Sequence, residues 1–287
     1  MLRWVVPLAF VLGSVLGSFL NVVIFRTIAR IKDQESPLRQ GFGGQAGSRH
    51  YFSNASHRSV CPHCERVLRW WELVPIFSFI GLNGRCQRCG GEISVQYPLV
   101  EAGLGVVAAI VAAQALASPA TAIAGLLEII IAALLVVLFI IDLKTMLLPD
   151  GFIVGLLVAV ITFRVFTYAL SGTSASLVTE LWGPAIGAGF LLLLWILTKG
   201  RGIGLGDVKL MIPLGLLAGP LGTVALLFIA YMIGGLLALY LLLRKHATLT
   251  TALPFGPFLC GAAVLLLVWP ALPEYLVTLL LGYNPWV

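Results

Sequence analysis

Ala120-Thr-Ala-Ile-Ala-Gly-Leu-Leu-Glu-Ile-Ile-Ile-Ala-Ala-Leu-Leu-Val-Val-Leu-Phe-Ile-Ile-Asp142 decides how this chain folds. The run exceeds the roughly 18 apolar residues that mark a membrane-spanning helix. Its only charged residues are Glu128 and Asp142. Similar runs lie on both sides. The expected spans are Trp4–Phe25, then about 98–116, 120–142, 151–170 and 181–199. A short one follows at 206–219 and turns at Gly219-Pro220, and the last two are 221–244 and 254–272. Residues 275–282 form a weakly apolar tail, and no strong internal repeat is present. Composition agrees: 60% of the 287 residues are hydrophobic and 10% charged, where a soluble domain carries about a quarter charged. The first run starts after one basic residue and lacks a small-residue cleavage site, so it reads as a retained span rather than a signal peptide.

The net charge of +6 would suggest nucleic acid in a soluble protein. Here it reflects the gathering of basic residues on one side of a membrane. With eight spans and a cytoplasmic insert, both termini face outside. Arg26, the insert, Lys144, Lys199, Arg201, Arg244 and Lys245 then face the cytoplasm, with Lys209 just inside the sixth span, and only Arg3 and Arg164 point outward. The same orientation brings Asp142, Asp150 and Asp207 to the cytoplasmic face. The partners expected are membrane lipid and membrane proteins, not nucleic acid.

The insert runs from about Arg26 to Gln96 and holds four of the five cysteines. Gly41-Phe-Gly-Gly-Gln-Ala-Gly47 within it reads as a flexible loop. Cys61-Pro-His-Cys64 and Cys86-Gln-Arg-Cys89 are two C-x-x-C knuckles. Each offers two thiolates from one tight turn, and two knuckles complete a tetrahedral zinc site. The alternative is two disulfides, which a reducing cytoplasm disfavours. A four-thiolate site is closed, so its zinc is structural. His63 inside the first knuckle reads as a bystander, and Cys260 as a buried thiol of the last span. The fold class is therefore an all-α polytopic membrane protein of about eight transmembrane helices with a small cytoplasmic zinc-binding insert. It divides into a first helix (1–27), the insert (28–96) and a multi-helix membrane domain (97–287).

Acids near hydrocarbon each require an explanation. Asp142 sits at the C-terminal end of its run, where the helix dipole disfavours an anion. Asp150 follows Pro149 and reads as an N-cap of the next span. Asp207 follows Gly204-Leu-Gly206, so it is either an N-cap or an acid beside backbone that allows close approach. An Asp142–Asp207 catalytic pair is one reading of these placements. Glu128 lies about 20 Å along the helix from Asp142 and reads as a structural acid. Glu101 reads as a dipole-favoured acid at the start of the second span. Gly13, Ser14, Gly17 and Ser18 recur at four-residue spacing, which favours close helix packing, with Asn21 available to bond across it.

These motifs together resemble one family. Gly17-Ser-Phe-Leu-Asn-Val-Val-Ile-Phe-Arg26 matches its opening signature, and the cysteine knuckles follow. Then come Gly84-Arg-Cys86, Ile93-Ser-Val-Gln-Tyr-Pro-Leu-Val-Glu101 and Asp142-Leu-Lys-Thr-Met-Leu-Leu-Pro-Asp150. Gly204-Leu-Gly-Asp-Val-Lys-Leu210 and Pro254-Phe-Gly-Pro-Phe258 complete the order. The chain resembles the type IV prepilin peptidases, also called prepilin leader peptidase/N-methyltransferases, over nearly its whole length. The stretch 35–56 is long, Gly-rich and unlike the family. The resemblance implies removal of a short basic leader from type IV prepilins or pseudopilins at the cytoplasmic face of the bacterial inner membrane. It also implies methylation of the new N-terminus with S-adenosylmethionine, for which no glycine fingerprint marks a site. The family's catalytic aspartates fall on Asp142 and Asp207, and its zinc ligands on Cys61, Cys64, Cys86 and Cys89. Two close carboxyls would share a proton, one activating water while the other binds the scissile carbonyl. The rival classes are a non-enzymatic membrane assembly factor that docks a partner on its zinc insert, and a proton-coupled transporter. An intramembrane aspartyl protease with other substrates is a third reading.

Overall fold

A computed structural model of the chain describes residues 4–35, 59–61, 63–115, 119–171, 177–245, 251 and 253–281. The Gly-rich loop at 41–47 and most of the stretch 35–56 lie outside the described residues. Nine α-helices are present among the described residues: α1 (Val5–Glu35), the single turn α2 (Phe77–Gly81), α3 (Gln96–Ala115), α4 (Pro119–Thr145), α5 (Asp150–Ser171), α6 (Leu177–Leu197), α7 (Leu205–Leu243), α8 (Gly256–Val268) and α9 (Leu272–Leu281). No named strand occurs among these residues, only two isolated β-bridges. Among the described residues six helices are long and apolar enough to cross a membrane, or up to seven if the bent pair α8–α9 counts as one span. The chain forms two compact units, Met1–Ala109 and Ile110–Val287.

In the first unit α1 packs on α3 at van der Waals contact. A Cβ on Gly13 would lie 2.6 Å from the Leu104 carbonyl oxygen, and one on Gly17 would lie 2.8 Å from the Glu101 Cα. The four-residue repeat of small residues is thus the contact surface, as its spacing predicts. Asn21 is buried and bonds across the contact: its amide donates to the Tyr97 carbonyl at 3.3 Å and accepts from Gln96 Nε2 at 3.3 Å. The helix continues past Phe25 to Glu35, so the first part of the expected insert is helical.

In the second unit α7 is two helices joined at a break. Gly219 leaves the helical region at φ 69, ψ −179, where the turn at Gly219-Pro220 is expected. Neighbours on α6 give the path on either side. Gly183 lies against Gly215 and Gly219, Gly187 against Met211 and Thr223, and Phe190 against Tyr231. Along α6 the contacts therefore run backward through the first half of α7 and forward through the second. The two halves form an antiparallel hairpin. Arg164 of α5 stabilises its tip, donating from Nε to the Leu216 carbonyl at 2.9 Å and from Nη2 to that of Leu217 at 2.8 Å. These are carbonyls that the helix end leaves without intrahelical partners. Glu180 pairs with the same guanidinium at 3.2 Å.

The apolar run expected at 254–272 breaks earlier. Trp269 precedes Pro270, which disfavours helical backbone, and the axis turns by 102° between α8 and α9. The weakly apolar tail is helical from Leu272 to Leu281.

Candidate active site and metal centre

Asp142 and Asp207 come from helices that end and begin side by side. Asp142 lies in the last turn of α4 and Asp207 in the first turn of α7, and both are buried, at 4% and 7% exposure. Asp207 is not the N-cap. Gly204 takes that position, and Asp207 stands three residues in, where the helix dipole favours its charge. Asp142 has the opposite dipole environment, as its sequence position predicts.

The space between them is bounded by Gly256, which stands within the Pro254–Phe258 motif but has no role at the pair assigned from sequence. A Cβ on Gly256, the first residue of α8, would lie 2.5 Å from Asp142 Oδ2 and 3.4 Å from Asp207 Oδ1. Both carboxylates therefore reach the same few ångströms of space, and glycine leaves that space open. Apart from that motif, Gly256-Pro257 before an apolar run signals a helix start.

An open cleft of about 410 Å³ reaches both aspartates. Its walls include Met146, Leu147, Leu148, Leu205 and the Gly204 and Gly206 backbone. Met146 turns the chain out of α4 at φ 54, its amide bonded to the Asp142 carbonyl at 2.8 Å. That is the left-handed exit of a helix C-terminus, here made by a residue other than glycine.

The other acids have different partners. Asp150 is not the cap expected of it. Pro149 precedes the helix, Asp150 is its first residue, and its carboxylate pairs with Lys209 at 2.9 Å on the cleft rim. Glu101 does not cap α3 either. It lies more than a turn inside, is buried, and accepts the Ile76 amide at 2.8 Å.

In the first unit, Cys61, Cys64, Cys86 and Cys89 converge, with all four sulfurs within 4.8 Å of one another. The Cys61 and Cys89 sulfurs are 4.0 Å apart, far beyond the roughly 2 Å of a disulfide, and none of the four is in a disulfide. The two knuckles share one turn geometry. The Cys61 amide donates to the Arg66 carbonyl at 2.9 Å, and the Cys86 amide to that of Gly91 at 2.8 Å. Each turn passes through a left-handed residue just after its second cysteine, Glu65 at φ 53 and Gly90 at φ 69.

The amide of Cys89, then that of Arg88, pulls the Cys86 thiol down to about 6. Cys89 accepts from the Gly91 amide, but desolvation and the thiols around it push it up to about 11. Four thiolates this close repel one another, and a divalent cation at their centre lets all four ionise. The set can hold one metal ion. His63 does not join it: its ring packs over Gly91, and Nε2 lies 3.3 Å from the Glu92 carbonyl. Cys260 is buried in α8.

Comparison with known proteins gives matches across the chain. Residues 11–115 match the Bacterial Peptidase A24 N-terminal domain, and residues 129–239 the Type IV leader peptidase family. A Prepilin leader peptidase/N-methyltransferase of Burkholderia pseudomallei (strain 1026b) is 37% identical over 267 residues, covering 90% of this chain and 84% of that protein. One of Stutzerimonas stutzeri is 34% identical, covering 92% of each chain. One of Pectobacterium carotovorum subsp. carotovorum is 36% identical, covering 88% of this chain and 89% of that protein. No solved structure matches. The chain belongs to the type IV leader peptidase family.

Proposed function

We propose that this protein is a membrane aspartyl endopeptidase that removes the leader from type IV prepilins or pseudopilins at the cytoplasmic face of the bacterial inner membrane. The observation that carries the reading is the pair of buried carboxylates, Asp142 and Asp207, meeting across the open space at Gly256. Two carboxylates in so little volume cannot both stay ionised cheaply, so the pair holds one proton between them. The ionised member takes a proton from water as the water oxygen attacks the scissile carbonyl carbon. The protonated member donates to the carbonyl oxygen as it gains charge. Collapse of the tetrahedral intermediate breaks the C–N bond, and the proton taken from water passes to the leaving amine. The open cleft admits an extended leader from the polar side, and the substrate's apolar helix lies along the membrane body.

The relatives' names support a second activity, methylation of the new N-terminal amine with S-adenosylmethionine as donor. No described residue of this chain is assigned to that donor. The eight-span topology, with α7 contributing two spans around Gly219 and α8–α9 one, belongs to the same proposal.

Incubating the purified protein in lipid with a prepilin, with and without S-adenosylmethionine, tests both activities by product mass. Loss of the leader in both arms and gain of one methyl only with the donor is the expected result. An uncut prepilin with a folded protein overturns the peptidase reading. An assembly factor gives no product, and a transporter gives uptake in vesicles instead.

Two further outcomes are expected. Cysteines introduced at positions 40–55 should label only from the cytoplasmic side of sealed vesicles, because the basic residues gather there. Labelling from the outside only would remove the proposed orientation. The four-cysteine set should hold one structural zinc per chain, read by elemental analysis of reduced protein. Cys61→Ser should lose the metal and destabilise the insert, because structural zinc supplies folding free energy. Metal-free, well-folded parent protein would count against it.

A further inference from the structure

Outside the helices that cross the membrane, residues 70–80 present a cluster of exposed apolar side chains. Trp70 is 76% exposed, Phe77 75% and Ile80 64%, with Trp71, Leu73 and Val74 also exposed. They flank an open groove lined by Trp71, Val74, Phe77, Ser78 and Leu82. A contiguous surface of this kind marks an interaction site.

Two observations identify what covers it. The first is height. The Ile76 amide is bonded to Glu101 Oε2 at 2.8 Å, and Ile76 has a positive φ of 64 in the tight turn where the Phe77 amide donates to the Pro75 carbonyl. Glu101 lies about 8 Å along α3 from its start at Gln96 and against Gly17 of α1. The segment is therefore tied to α3 little more than a turn inside its start, level with Gly17 partway along α1, and both helices are long and apolar enough to cross the bilayer.

The second is charge. Glu72 is the only acid in residues 70–81. It is turned inward and buried, pairing with Arg66 and accepting the Arg69 amide at 2.7 Å. Burial alone would push its carboxyl up, but the Arg69 amide and the Arg66 guanidinium hold it below the usual range. Arg69 lies over the Trp71 ring, 5.0 Å from its centroid. The outer surface thus shows aromatic and aliphatic groups with a cation at the edge and no anion. That is the composition of side chains at a membrane interface, where rings sit at headgroup depth and Arg reaches the phosphates.

We propose that residues 70–80 form a lipid-docking surface that lies in the headgroup–acyl boundary of an anionic bilayer and holds the four-cysteine insert against the membrane. The inference rests on α1 and α3 spanning the membrane and not on the peptidase reading. The test places the photoreactive residue p-benzoylphenylalanine at position 77 or 80 of the full chain. The protein is reconstituted with a prepilin in nanodiscs of phosphatidylethanolamine and phosphatidylglycerol, irradiated and weighed intact. Lipid-mass adducts are expected at both positions, at a level comparable with position 158, which faces outward in α5, and several-fold above position 131, which is fully buried in α4. Adducts to the prepilin or to a second copy in place of lipid overturn the proposal, as does the absence of adducts at both positions. As a check without the photoprobe, the emission lost on Trp70→Phe with Trp71→Phe should be at least twofold quenched by lipids brominated near the glycerol. Unquenched emission overturns the proposal equally.

Discussion

Asp207→Asn and Asp142→Asn are each expected to reduce leader removal by roughly 10²–10⁴-fold or more, the range for losing a general acid or base. Asn keeps the shape of the side chain and most of its hydrogen bonds but cannot ionise or share a proton. Both carboxylates are buried and meet at one space, so the loss is chemical where the variant stays folded. The double variant should be no worse than either single, because residues acting as one unit are not additive. Asp150→Asn should keep most activity. Its carboxylate is exposed and engaged with Lys209, and an exposed pair contributes at most about 1 kcal/mol. Cleavage rates on a prepilin, with thermal unfolding of each variant alongside, separate these outcomes. A folded Asp207→Asn protein that cleaves at near the parent rate removes the mechanism.

Much of this arrangement is legible in the order of the amino acids, for reasons tied to particular residues. Long apolar runs specify helices because the bilayer leaves no partner for an unpaired amide, and Gly219-Pro220 specifies a break because only glycine readily takes φ near +69. The cysteine knuckles are legible because two short spacings fix four sulfurs on two turns. What the sequence does not reveal is which groups fill the space around an acid. Asp150 and Glu101 each stand where a cap is chemically reasonable, yet their carboxylates serve Lys209 and the Ile76 amide, partners 59 and 25 residues away in the chain. Gly256 stands in the Pro254–Phe258 motif, but its role beside the two acids is hidden for the same reason. Its importance is the absence of a side chain at one point in space, and no local pattern records that. The bend after Trp269 is readable in principle from Pro270, but an unbroken apolar stretch outweighs one proline in a hydropathy reading.

Gly256→Ala should lower kcat/KM for leader cleavage by about 10²-fold with little change in stability. The added methyl would stand 2.5 Å from Asp142 Oδ2 and 3.0 Å from its Cγ, so the carboxylate must turn away or α8 must shift. Either movement displaces a proposed catalytic group by an amount comparable to 1 Å, and misplacement on that scale costs about 100-fold. The methyl also fills the space that the attacking water needs between the carboxylates. The backbone should tolerate the change. Gly256 opens α8 outside the left-handed region, where alanine fits without strain and is the better helix former. Activity and stability should therefore separate, which a packing defect would not produce. Gly155→Ala supplies the comparison: an added Cβ there meets nothing within 4 Å, so it should hold or raise stability by up to about 1 kcal/mol and leave cleavage unchanged. Rates on a prepilin and melting curves for the two variants decide the point. Near-parent cleavage by a folded Gly256→Ala protein would mean that the chemistry does not occur in the space between Asp142 and Asp207 at this glycine.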